Sequence, residues 1–204
     1  MPVDPSSARI RLPRVRARGQ RRAILRLAAD LASVDGLEQV TLGRLATAMQ
    51  MSKSGLYAYF TSKEDLQLAT IESAWSIFDE HVLDGDHPLD VLLARWIAYY
   101  EQEVFPGGCP FATATMEFAN RDGPVHDALA DVLQRQLTAL RQAAERARRD
   151  GVRSGVDAEQ VAFELHALLT AGNQRFRISR DPAAFVHTRT AIARLLQPRH
   201  DGRT

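Results

Sequence analysis

Residues 51–66 read MSKSGLYAYFTSKEDL. The segment holds both of the chain's lysines, Lys53 and Lys63, two of its four tyrosines, Tyr57 and Tyr59, and a glycine where a helix favours alanine. Leu56 and Phe60 are four apart, so one short helix can bury both and turn Lys53, Ser54, Tyr57 and much of Tyr59 outward. Gly55 costs roughly 1 kcal/mol of helix propensity relative to alanine. With Ser54 it leaves a low surface through which a helix end can approach a groove floor. A tyrosine offers an apolar ring and a hydroxyl, and a lysine is a point charge suited to phosphate. Ser52 is placed to cap this helix, and Ser62 with Asp65 forms a capping box that opens the next. The amides around Ser62–Glu64 add a helix N-terminus as an anion site.

Working outward, Thr41 caps a second short helix whose apolar face is Leu42, Leu45, Ala46 and Met49. Two helices of about eight residues are unstable alone. They need a third, and Ile24, Leu27, Ala28 and Leu31, at helical spacing, supply it. Three short helices with a tight connection at Gln50-Met51 describe a helix-turn-helix unit. Downstream, a long helix carries Leu68, Ile71, Trp75, Phe78 and Val82 as far as DGDHP. Pro88 opens another with Leu89, Leu92, Leu93, Trp96, Ile97, Tyr100 and Val104. After the PGGCP loop comes a short helix near 111–120, then one opened by Pro124, one capped by Asp157, and a last one from Asp181-Pro182 to about Leu196. No segment alternates with period two, so the expectation is all-α with about nine helices.

The stretch VTLGRLATAMQMSKSGLYAYFTSKEDLQLATIE resembles the DNA-binding signature of the TetR family of transcriptional regulators. The resemblance covers about residues 20–75: a T-x-x-x-[LI]-A second helix, an S-K-x-x-[LIV]-Y-x-[HY]-F recognition helix and an S-K-E-x-L start to the fourth. It implies an N-terminal three-helix DNA-binding domain followed by a C-terminal helical domain for ligand binding and dimerisation. It also implies roles. Thr41 meets a phosphate, Lys53, Ser54 and Gly55 approach bases, Tyr57 and Tyr59 reach base or backbone, Lys63 clamps a phosphate, and Ser52 counts among the DNA-binding residues. The pattern departs at Gly43, where relatives often carry a contacting side chain; Arg44 is expected to reach a phosphate instead.

Composition agrees. Hydrophobic residues make up 45% of the 204 and charged residues 25%, with no run of about 18 uncharged apolar residues for a membrane span. The N-terminus lacks the apolar core of a signal peptide, and one cysteine, Cys109, cannot build a disulfide framework; the expected location is the cytoplasm, at the nucleoid when bound to DNA. The net charge of +1 hides an asymmetry, because Arg9 to Arg26 contains eight arginines and no acid. The expected organisation is a flexible basic arm (1–18), the helix-turn-helix domain (19–65), the ligand-binding and dimerisation domain (66–197) and a disordered tail (198–204). Arg16 and Arg18, on the arm, are candidates for phosphate or minor-groove contact.

In the C-terminal part Trp75, Phe78, Trp96, Tyr100, Phe111 and Met116, with His166 and Asn173, are the ligand-binding candidates, joined by Glu117 and Gln174 as further polar groups. Phe118, Tyr99 and Phe105 add to the aromatic set. The last two helices are expected to form the homodimer surface, with Ala162, Ala167, Ala171 and Gly172 permitting close packing and Phe185, Ile192, Leu195 and Leu196 adding apolar area. The partners expected are a palindromic double-stranded DNA operator, a partly apolar small molecule that releases it, and a second copy of the chain, with no membrane. The sequence has no HExxH, P-loop, GxGxxG or G-x-S-x-G and no metal-ligand spacing of its histidines, so no catalytic residue, metal or cofactor is expected. An all-helical enzyme or small-molecule carrier, or a DNA-binding protein that senses nothing, are the alternatives.

Overall fold

A computed structural model describes residues 14–149 and 157–197; the arm before residue 14 and the tail 198–204 lie outside them. Nine α-helices run through the described residues, with no strand among them: α1 Arg14–Asp35, α2 Leu42–Ala48, α3 Lys53–Tyr57, α4 Lys63–Phe78, α5 Leu89–Glu101, α6 Pro110–Phe118, α7 Pro124–Arg149, α8 Ala158–Ser179 and α9 Ala183–Leu196. No helix of the described residues is long and apolar enough to cross a membrane.

α1 starts earlier than expected. The run from Arg14 is rich in arginine, a good helix former, and nothing but Gly19 interrupts it. Arg16 and Arg18 therefore stand on α1 rather than on an arm. α1 packs against α4 and α6, burying Ile24, Ala28 and Ala32.

The turn between α2 and α3 is fixed by backbone hydrogen bonds. Gln50 adopts a left-handed conformation (φ 54°), Met51 N donates to Ala46 O at 2.9 Å and Gln50 N to Thr47 O at 3.2 Å. That is a Schellman motif, which satisfies the last carbonyls of α2 and sends the chain off at an angle. Leu45, Leu56 and Phe60 are fully buried beneath it, so the two short helices are held by shared burial.

α4 does not stop at Phe78. It widens into a π turn, Asp79–Leu83, closed by Asp84 N donating to Asp79 O at 2.8 Å. Arg95 on α5 donates to the carbonyls of Val82 (3.2 Å) and Glu80 (3.0 Å), satisfying groups the helix end leaves over. α5 ends at Glu101, so Val104 lies in the following turn and not on the helix face expected of it.

The core of the larger part is aromatic. Phe78 is its centre, with Trp96 and Tyr99 edge-on at 4.9 and 5.3 Å and Trp75 tilted against it at 5.4 Å. Trp96, also fully buried, donates its indole N–H to Tyr100 Oη at 2.8 Å, so the one polar atom of its ring has a partner.

Candidate functional site: a DNA-facing tip and an effector cleft

Each helix start of the candidate DNA-facing tip carries a side-chain cap. Thr41 Oγ1 accepts from Arg44 N at 3.2 Å, Ser52 Oγ from Gly55 N at 3.1 Å and Ser62 Oγ from Asp65 N at 3.0 Å. Each cap satisfies an orphan amide and is worth ~1 kcal/mol. The Asp65 carboxylate reaches back one residue beyond the cap, accepting from Thr61 N at 2.7 Å, and this bond holds its pKa below the usual aspartate value.

α3 presents Lys53, Ser54 and Tyr57 to solvent, with Tyr57 58% exposed, while Leu56 is sealed inside. Tyr59 differs from the expectation. It is only half-buried, but its hydroxyl donates to Gln20 Oε1 on α1 at 3.0 Å, so it braces α3 on α1 instead of projecting outward. Arg44 is likewise occupied: its guanidinium donates to Asp35 Oδ2 at 2.5 Å and to the Gln39 carbonyl at 3.3 Å. Arg18, Arg21 and Arg22 are exposed on α1; of Arg16 only the helical backbone is described.

Lys63 shows something the sequence pattern does not reveal. Its ammonium donates to Glu38 Oε1, and Arg121 donates to Glu38 Oε2 at 2.7 Å. The Lys63 hydrogen bond, with that from Arg121, holds the Glu38 carboxyl below its ordinary 4.5 against the opposing effect of partial burial. The backbone of Glu38 is tied in turn: its N–H donates to Glu117 Oε2 on α6 at 3.1 Å. Gly36 makes this possible. It sits at φ 93°, and the place its Cβ would fill lies 1.6 Å from Glu117 Oε1. Glu117, expected among the ligand groups, is thus a strut between α6 and the corner after α1.

A cleft of about 670 Å³ opens in the larger part, between the α5–α6 turn, α6, α7 and α8, with Ser33 and Val34 of α1 at its edge. Of the ligand candidates it gathers Tyr100, Phe111, Met116, His166 and Asn173, together with Gln174. Trp75, Phe78 and Trp96 do not line it. Phe78 and Trp96 are spent on the core, and Trp75 lies half-buried between Phe78, Phe111 and the Arg135 guanidinium. Large aromatics at helical spacing signal burial, and burial alone does not separate core from cavity wall. Missed by the sequence reading were Gln136, Thr170 and Arg177. Thr170 and Arg177 share a face with residues already chosen, since His166, Thr170, Asn173 and Arg177 run i, i+4, i+7, i+11 along α8, while Gln136 lies opposite on α7.

His166 Nε2 lies 3.3 Å from Gln136 Oε1, and burial lowers its pKa, so the ring is neutral near pH 7. Burial pushes the Cys109 thiol up to about 11. It is a buried thiol, not a poised thiolate.

The tri-helical unit with its exposed tip, joined to a helical body that encloses a cleft, defines a DNA-binding transcriptional regulator of the helix-turn-helix class. Residues 24–70 match the bacterial regulatory proteins of the tetR family, and residues 87–192 match the tetracyclin repressor-like C-terminal domain. The chain belongs to the TetR family. No curated protein matches it in sequence. Among solved structures, a TetR transcriptional regulator from Chloroflexus aurantiacus J-10-FL is 22% identical with a TM-score of 0.78, covering 90% of this chain and 98% of its own. A TetR-family regulator from Agrobacterium tumefaciens is 18% identical with a TM-score of 0.76, over 88% of this chain and 99% of its own. AibR, solved with isovaleryl coenzyme A and operator DNA, is 22% identical with a TM-score of 0.70, over 88% and 99%. At these identities the likeness is one of fold.

Proposed function

We propose that this protein is a cytoplasmic, ligand-responsive repressor that binds a palindromic operator as a homodimer and is released by a small, partly apolar molecule. The observation that carries the reading is the exposed α3 face of Lys53, Ser54 and Tyr57, held rigidly by the Ser52 cap and by the Leu56 and Phe60 anchors. Base edges are read by a few side chains on such a helix, and two copies about one DNA turn apart multiply a modest specificity. The cleft supports an effector, and α6, which lines it, also holds Glu38 through Glu117. A ligand that moved α6 would therefore act on the corner from which Lys63 is held, as well as along α4. It can shift operator affinity only by its differential affinity for the two arrangements.

The test is a gel shift on the intergenic DNA beside the protein's own gene. Tyr57→Ala removes an exposed side chain and should leave the thermal unfolding midpoint unchanged while weakening operator binding roughly tenfold or more. Wild-type affinity in that variant would take Tyr57 out of the interface.

Only some of the residues expected at a dimer surface are free to form one. Ala162, Phe185 and Ile192 are buried within the chain, and Gly172 packs so closely on α9 that its Cβ position lies 2.2 Å from Thr188 Oγ1. The apolar groups left outward are Phe163 (64% exposed), Ala167, Ala171 and Ile178 (85%) on one stripe of α8, and Val186 (60%) on α9. An unpaired stripe of this kind calls for a partner helix pair. Phe163→Asp is expected to give a monomer by light scattering at micromolar concentration with unchanged helicity. A dimer of unaltered strength in that variant would move the interface elsewhere.

A further inference from the structure

We propose that the effector carries an acidic head, a carboxylate on an apolar body, and that this head is held at the N-terminal end of α6 against Asn173 and Arg177. The inference rests on the reading of the cleft as the effector site and narrows its chemistry.

Four observations converge at one end of the cleft. α6 begins with Cys109 and Pro110; no side chain caps it, and all of Cys109, Phe111 and Ala112 line the cleft. Among the described residues the amides of Phe111 and Ala112 meet the Cys109 sulfur, a weak acceptor, and a helix N-terminus favours an anion. Asn173 is 4% exposed and its carboxamide makes no hydrogen bond among the described residues, with Oδ1 wholly enclosed. Buried polar groups are rarely left unmade, and a carboxamide turned over about its last bond offers N–H donors instead. It lies beside the same turn: the Cβ position of Gly108 is 3.2 Å from Asn173 Oδ1 and 2.8 Å from Arg177 Cδ.

Charge points the same way. Among the described residues no aspartate or glutamate lines the cleft, and Arg177 does. Arg177 donates to Glu103 at 2.9 Å, but Arg180 shares that carboxylate at 3.2 Å, so two guanidiniums have one anion between them. Beyond this polar end the walls are apolar, formed by Phe111, Val132 and Leu133, with Met116 and Ile178 at the open rim. An amphipathic anion matches both ends; a cation would meet Arg177 and a helix N-terminus.

The experiment uses the full chain and three probes with one eight-carbon body: octanoate, 1-octanol and octylamine, followed by calorimetry and thermal shift. Octanoate is expected to bind and raise the melting temperature, octanol to bind roughly tenfold more weakly, and octylamine least. Arg177→Met should cost octanoate about tenfold and leave octanol unchanged. Asn173→Asp, which keeps the shape and adds a negative charge at the head, should do the same if the arginine variant fails to fold. Octanol or octylamine binding as tightly as octanoate, or octanoate binding unmoved in the folded variants, would overturn the acidic head and leave the cleft as an effector site. Binding of none of the three would overturn the amphipathic effector cleft itself, and this inference with it.

Discussion

Gly107→Ala is expected to destabilise the protein by about 3 kcal/mol and to lower its melting temperature by about 6–12 °C. The added Cβ would sit 1.8 Å from Ser33 O, 2.0 Å from Ser33 C and 2.4 Å from Val34 N, all backbone atoms of α1. A side chain in the way can rotate; a helix backbone cannot. Either α1 or the turn before α6 must shift, and both are fastened. Gly107 N donates to Ser33 Oγ at 2.9 Å, and Arg26 reaches across to the Val104 carbonyl at 2.6 Å while lying over the Phe105 ring at 5.0 Å. Gly19→Ala is the matched control. It lies inside α1 with nothing within 4 Å of its Cβ position, and should stabilise by about 0.5–1 kcal/mol. Circular dichroism melts of the two variants decide the matter: a Gly107→Ala midpoint within about 2 °C of wild type would mean the turn does not rest on α1 this closely.

That seam is where sequence reading ran out. The helices were legible because their signals are local. Thr41, Ser52 and Ser62 announce three helix starts, the Leu56–Phe60 spacing gives the buried side of α3, and Pro88, Pro110 and Pro124 stand at or beside three more starts. What sits across a seam depends on which distant residues meet, and one sequence carries no mark of that. A glycine pair before Cys109 reads as a loop. Only the position of α1 shows that Gly107 is a close-approach residue, and only α8 shows what Gly108 makes room for. The early start of α1 had a local signal, since arginine favours helix, but the same arginines read as a basic arm and set the boundary at residue 18.

The two candidate sites differ in legibility for a physical reason. The DNA-facing tip is one continuous segment, so its outward residues follow from helical period, and the family motif adds their order. Even there, tertiary partners reassigned Tyr59 to a brace on Gln20 and Arg44 to Asp35. The cleft is assembled from several elements. Aromatic content selected Phe78 and Trp96, which the core consumed, and Trp75, which lies half-buried away from the cleft, and passed over Arg177, whose charge suggested a surface. The α8 period would have found it, had the cleft face of α8 been known.

The other large effect concerns Lys63. Lys63→Glu is expected to weaken operator binding roughly a hundredfold, about tenfold from each subunit of the proposed dimer, because the proposed phosphate contact would be replaced by repulsion. A plot of log affinity against log salt should flatten by about 1.8, one lost phosphate contact per subunit. Lys63→Met, which adds no charge beside Glu38, should flatten the plot equally with a smaller loss, separating contact from repulsion. Glu38 gives the opposite sign. Its carboxylate holds the Lys63 ammonium, so in the proposed operator complex DNA phosphate and Glu38 would compete for one cation. Glu38→Gln removes the competitor and should tighten operator binding about threefold or more. The pH dependence follows from the depressed Glu38 pKa. A carboxyl held below its ordinary 4.5 contributes its ion pair fully above that value and loses it as pH falls through the lower folded value. The difference between Glu38→Gln and wild type should therefore be constant across neutral pH and close only below the ordinary glutamate range. Fluorescence anisotropy with a labelled operator duplex measures all three variants. Tighter binding by Glu38→Gln, with the Lys63 variants weakened and still folded, would identify Glu38 as the group that restrains the clamp. Weaker binding by Glu38→Gln would show instead that the carboxylate aims Lys63 at the phosphate.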